Sequence, residues 1–228
     1  MKRFILLAFV LLCGTQLLAE PVQATRVDGP YTLKIASHHD IIDGKDMAVY
    51  YGERTPTRAG IAEFTYEVEQ DKHPIGGPPM GLCVQLGTVI DYNKEYTYDL
   101  YDSLVGMPVA GGTITAAQAE DIEYLVGNYF DQAISADDTM DHAYTGGDTG
   151  RKISPALQVA VWEVLYDGGG SNFDATGEQG DFYVLENDSS YPSTGVAEDA
   201  YGLYSNMSTD DEDRVKLYAL YNEDTQDF

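Results

Sequence analysis

Ser154-Pro155-Ala156-Leu157-Gln158-Val159-Ala160-Val161-Trp162-Glu163-Val164-Leu165-Tyr166-Asp167 is the stretch on which the fold turns. Ser154 suits a helix N-cap, and Pro155 suits the first helical position, where a missing N–H costs nothing. Gly168-Gly169-Gly170 follows Asp167, and glycine ends helices. Ala156, Leu157, Val159, Ala160, Val161, Val164 and Leu165 occupy every side of this predicted helix. A helix that is apolar all round is a buried one. Gln158 puts a primary amide inside it, which must find partners or cost about 1–3 kcal/mol. Trp162 follows one turn later on the same face.

Working outward, Thr115 and Gln118 form a capping box that opens an earlier helix. Ile122, Leu125, Val126, Tyr129, Phe130 and Ala133 make its single apolar stripe. Residues 135–151, rich in Asp, Gly and Thr, read as a loop between the two helices. The helical region thus spans about 113–170. Before it, the side-chain period is two. Residues 31–36 read as a strand. In 61–69, Ala62, Phe64, Tyr66 and Val68 share one face. In 80–90, Leu82, Val84 and Leu86 point one way, and Cys83 and Gln85 the other. Tyr96, Tyr98 and Leu100 mark another strand. Residues 71–79 and 91–94 are connections. Beyond the triple glycine, 181–185 reads as a short strand or helical turn, 196–207 as a helix and 215–221 as a closing strand. The class is α+β with antiparallel strands.

The ends and the composition bound the function. Met1-Lys2-Arg3 precedes an apolar run from Phe4 to Leu12, the pattern of a secretory signal peptide. The expected cut follows Ala24, leaving 25–228 as one domain. Cleavage after Ala19 would put Leu17 where a smaller residue is preferred. A lipoprotein reading of Cys13 is disfavoured by Leu12 before it. The run is too short to span a bilayer, and no other stretch approaches that length. The formal charge of −25 repels nucleic acid and anionic membranes. It suits either a basic partner or simply a soluble extracellular surface. With 43% apolar residues and 18 tyrosines, the chain is too hydrophobic for disorder.

Removal of the leader takes Cys13 and leaves Cys83 as the one cysteine. An odd thiol in an oxidising compartment signals intermolecular pairing or a reactive group; it also has the option of bonding to Gln158. An inert, buried thiol is the structural alternative.

Leu82-Cys83-Val84 and Leu157-Gln158-Val159-Ala160-Val161-Trp162, with the extension through Glu163-Val164-Leu165-Tyr166-Asp167, resemble the thioester domains of bacterial surface adhesins. The likeness covers about residues 45–225. It implies a β-barrel or sandwich carrying Cys83, a helical subdomain, and an internal Cys83–Gln158 thioester shielded by Trp162. It further implies covalent attachment of a secreted or surface-exposed protein to an amine- or hydroxyl-bearing surface protein or glycan. Such a domain acts once and is not an enzyme, and it needs no cofactor and no metal. The cell-wall anchors, repeat stalks and isopeptide domains typical of these adhesins have no counterpart in this sequence.

Two other readings stay open. One is a noncovalent extracellular binding or matrix module. The other is a cysteine hydrolase or transglutaminase, which needs Cys83 beside His38, His39, His73 or His142. None of those histidines sits in a recognisable motif, and Cys83 lacks the helix N-terminus that activates such thiols. Gln85 is a rival acyl donor on the same strand face as Cys83. Asp137, Asp138, Asp141 and Asp148, and likewise Asp210, Asp211, Glu212 and Asp213, lack EF-hand spacing and read as solvated loops. Asn206-Met207-Ser208 fits a glycosylation triplet.

Overall fold

The computed structural model describes residues 24–34, 41–63, 65–66, 80–84, 86, 94–109, 112–135, 153–169, 173–175, 177, 180–190 and 193–222. Residues 1–23 of the expected leader, with Cys13, all four histidines, Gln85, the acidic run 137–148 and the connection 91–93 lie outside these residues.

Ten strands and three helices are present among the described residues. The strands are β1 (Arg26–Lys34), β2 (Ile41–Tyr51), β3 (Glu53–Glu63), β4 (Thr65–Tyr66), β5 (Met80–Gly81), β6 (Tyr96–Tyr101), β7 (Pro108–Val109), β8 (Gly112–Thr113), β9 (Phe182–Val184) and β10 (Ala219–Tyr221). The helices are α1 (Ala116–Ser135), α2 (Ile153–Asp167) and α3 (Val196–Asn206). Two four-stranded antiparallel sheets run in the orders β10-β6-β1-β4 and β5-β3-β2-β9, and β7 and β8 form a small ribbon. The fold is mixed α and β. Neither sheet closes into a barrel among the described residues.

The β2–β3 hairpin is the longest pairing, with Tyr51 opposite Glu53 and Gly52 turning between them at φ 68°. Its sequence hides it because Pro56 lies mid-strand. The register explains the tolerance. Pro56 pairs with Ala48, and the Ala48 carbonyl accepts from Leu185 N–H at 2.8 Å, on the β9 side. Ala48 and Pro56 are therefore a pair that exchanges no hydrogen bonds. The proline nitrogen faces away from β2, where β5 pairs only Ala62 and Glu63, so no ladder donor is missing.

The strand expected over 61–69 is divided instead. β3 begins eight residues earlier and pairs with β2, whereas β4 pairs with β1 in the other sheet. Of the strand expected over 80–90, Met80–Gly81 is present and residues 82–84 and 86 leave the ladder, while residue 85 and residues 87–90 lie outside the described residues. The closing strand is three residues, Ala219–Tyr221, preceded by a 3-10 turn at Asp211–Asp213 and an extended approach. Over β6 the expected alternation holds, with Tyr96, Tyr98 and Leu100 buried.

α1 opens as the capping box predicts. Gln118 N–H donates to Thr115 Oγ1 at 3.2 Å, and Thr115 N–H donates to Gln118 Oε1 at 2.9 Å. α2 starts at Ile153, two residues before Pro155, the expected first helical position. The Ser154 hydroxyl does not cap its own helix but accepts from Ile61 N–H of β3 at 3.0 Å. Gly168 and Gly169, at φ 86° and 63°, end the helix. Every residue from Ser154 to Leu165 is buried, as an all-apolar circumference requires. α2 packs against β2, β3 and β9 and between α1 and α3. One apolar core links both sheets and all three helices.

Candidate functional site

Gln158 is fully buried in the second turn of α2, and Cys83 is buried in the segment that leaves β5. The structure brings these two expected site residues together. Gln158 Oε1 accepts from Cys83 N–H at 2.8 Å, and Gln158 Nε2 donates to Cys83 C=O at 2.7 Å. One carboxamide therefore takes both main-chain groups of the residue that carries the thiol. Cys83 is in no disulfide among the described residues.

A second clamp lies two helical turns on. The Tyr166 hydroxyl donates to Val84 C=O and accepts from Leu86 N–H, each at 2.9 Å. Gln158, Trp162 and Tyr166 fall four residues apart and so share one face of α2. This explains the lost strand. In a regular strand, the backbone groups of Cys83 point to one edge and those of Val84 and Leu86 to the other. One helix face reaches both sets only where the chain twists between residues 83 and 84. Side chains of α2 then satisfy the backbone groups that a neighbouring strand would otherwise take.

Trp162, between the two clamps, is fully buried and packs on Phe182 with ring centroids 6.3 Å apart. Its Nε1–H has no hydrogen-bond partner among the described residues. Tyr166 in turn contacts Tyr51 at 4.5 Å and stacks on Phe182 at 6.0 Å. The indole thus sits in an aromatic layer between α2 and the β2–β9 side of the sheet.

An adjacent face of α2 carries carboxylates. Glu163 is fully buried. Its Oε1 accepts from Asp174 N–H at 2.7 Å, while Oε2 has no partner among the described residues. Burial raises its carboxyl to about 8, opposed by the Asp174 N–H and reinforced by the charges of Asp167 and Asp174. Asp167 accepts from Asp181 N–H at 2.7 Å and from Phe182 N–H at 3.1 Å. Burial pushes its carboxyl upward, against those same two donors. At the end of α2, Gln118 of α1 donates to the carbonyls of Val164 and Leu165 at 3.0 and 2.9 Å; the Val164 carbonyl also takes Gly168 N–H at 3.1 Å, and that of Leu165 is one the terminus leaves open.

Sequence reading missed three of these residues. Tyr166 was within reach of the pattern, because it continues the Gln158–Trp162 stripe by one more turn. Glu163 carried a signal too, as a carboxylate in a helix with no solvent face. The second role of Gln118 had none, since it depends on how α1 and α2 meet.

Acyl chemistry at Gln158 Cδ would use the hydrogen bond that the carboxamide oxygen accepts. An N–H aimed at its oxygen polarises the carbonyl and remains in place for the oxyanion of a tetrahedral intermediate. No group of three or more His, Cys, Asp or Glu side chains among the described residues is placed to hold a metal ion. Asp210, Asp211 and Glu212 are exposed and Asp213 is half-buried, in a 3-10 turn and its flank. Asn206 is exposed at the end of α3 and donates to Gly202 C=O at 2.7 Å. No described helix is long and apolar enough to cross a membrane. Comparison with known proteins finds no matching family model, no similar curated protein and no similar solved structure.

Proposed function

We propose that this chain is a secreted or surface-exposed thioester domain that attaches covalently, through Gln158, to an amine- or hydroxyl-bearing protein or glycan. The observation that carries the reading is the seating of the Gln158 carboxamide on the main chain of Cys83, at 2.8 and 2.7 Å. Burial of both side chains supports it, since a thioester survives only where water is kept away. On the same reading, the two sheets and their common core form an opened sandwich carrying Cys83, with the helices as its subdomain.

Formation is an acyl transfer. The Cys83 thiolate adds to Cδ of Gln158, the C–N bond breaks, and the amide nitrogen leaves as ammonia with the thiol's proton. The carbonyl is then joined to sulfur, which overlaps with it poorly, so it is more electrophilic than the amide it replaces. An incoming amine or hydroxyl adds to the same carbon, the C–S bond breaks, and the Cys83 sulfur takes up the nucleophile's proton. The product is an amide or ester to the target. Nothing restores the thioester, so the domain acts once.

Intact-mass measurement tests this. The expected mature protein is lighter by one ammonia and resists alkylation at Cys83. Methylamine then adds to the peptide containing Gln158 and frees the thiol. A full-sequence mass with a readily alkylated Cys83 in the unfolded chain overturns the reading. One observation favours a second reading, a noncovalent extracellular module: both ends of the Gln158 amide are already hydrogen-bonded as an amide. That module retains the full mass, and Cys83→Ala leaves its partner binding intact.

A further inference from the structure

Among the described residues, Tyr166 is a second side chain of α2 hydrogen-bonded to the chain next to the thiol. Its hydroxyl is used twice, as donor to Val84 C=O and as acceptor from Leu86 N–H, at 2.9 Å each. The ring is fixed independently, by Tyr51 at 4.5 Å and Phe182 at 6.0 Å. So the oxygen is held by packing rather than by the segment it binds. With Gln158 it makes two anchor points, one on Cys83 and one on Val84 and Leu86. A single anchor leaves the extended segment free to swing about it; two fix its direction. The Cys83 Cβ–Sγ bond is aimed by that direction, because the thiol is carried by the backbone both anchors hold.

We infer that Tyr166 is a positioning residue for the reaction between Cys83 and Gln158, orienting the thiol toward the carboxamide by holding the backbone of Val84 and Leu86 beside it. The inference rests on the thioester reading above and adds to it the group that supplies alignment. Tyr166 acts through the main chain of Val84 and Leu86. Its effect comes through proximity and orientation, where a small misplacement is expensive in rate.

The test uses the full mature chain and the substitution Tyr166→Phe, which removes the hydroxyl and keeps the ring. Tyr50→Phe is the control, since Tyr50 stacks on Tyr183 at 4.9 Å, away from α2. Refolded, monodisperse protein is sampled over time for loss of ammonia by intact mass. Wild type and Tyr50→Phe are expected to lose it alike. Tyr166→Phe is expected to do so at least roughly tenfold more slowly, with near-UV circular dichroism unchanged. Equal rates in Tyr166→Phe and wild type overturn the inference and leave the thioester reading standing. No loss in wild type overturns both. If Tyr166→Phe does not fold, a ring-fluorinated tyrosine placed at 166 replaces it. Its more acidic hydroxyl ionises earlier and then stops donating to Val84, so bond formation should fall off at lower pH than in wild type. An unmoved pH profile overturns the inference.

Discussion

Gln158 takes the place of a neighbouring strand for Cys83. Its single carboxamide pairs with both the N–H and the C=O of that residue, at 2.8 and 2.7 Å. Because both backbone groups are buried, removing the amide strands them together. In a Cys83→Ala background, where no covalent bond forms, Gln158→Ala should destabilise the fold by about 2–5 kcal/mol. Urea unfolding of the two chains measures it; a difference near zero would mean water replaces the clamp.

Trp162 is the only tryptophan of the chain and is fully buried. Its emission should be blue-shifted in the folded state and move to the red on unfolding. Trp162→Phe should leave the fold intact and, on the proposed thioester reading, form the bond but lose it to hydrolysis several-fold faster than wild type, as water gains access. Mass spectrometry of aged samples follows that loss, and equal lifetimes would remove Trp162 from the shielding role.

Glu163 sets a pH dependence of defined sign. Folded, its carboxyl titrates at about 8; unfolded, at the ordinary 4.5. Between those values the folded state keeps a proton that the unfolded state gives up. Stability therefore falls as pH rises through this window, by an amount on the order of a few kcal/mol. Asp121 and Asp167, also raised by burial, act in the same direction at lower pH. Glu163→Gln keeps an acceptor for Asp174 N–H and should flatten the curve, making the variant more stable than wild type at pH 8. Thermal melts from pH 5 to 8.5 provide the comparison.

Gly127 tests packing against propensity. Alanine in mid-helix normally gains about 1 kcal/mol over glycine. Here a Cβ on Gly127 would overlap the Asp213 carbonyl, which belongs to the 3-10 turn lying on α1. Gly127→Ala should therefore destabilise, with a lower thermal midpoint despite the better helix former. A higher midpoint would show that the turn moves aside at no cost.

The helices were largely legible because their signals are local. Thr115 and Gln118 lie three residues apart, and the glycines that stop α2 adjoin it. The sheet was less so. Pro56 disguised β3, and only its register with Ala48 explains its presence there. The 80–90 alternation was real in sequence, yet Gln158 and Tyr166 reach across from α2 and take the backbone groups a longer ladder would have used. Such competition arises only between segments some 75–82 residues apart. That Cys83 and Gln158 are neighbours was readable as a motif, whereas the double hydrogen bond that seats one on the other was not.

The burial of α2 has a mechanical side. A target coupled to Gln158 would hang from the most enclosed helix of the molecule, not from a loop or a terminus. Pulling on it loads Leu157, Val159, Val161 and Leu165 in the core at once, together with the Ser154 tie to β3 and the Asp167 tie to β9. Extraction would require breaking that whole set together. The grip on the target would therefore give way only when the domain itself is torn open.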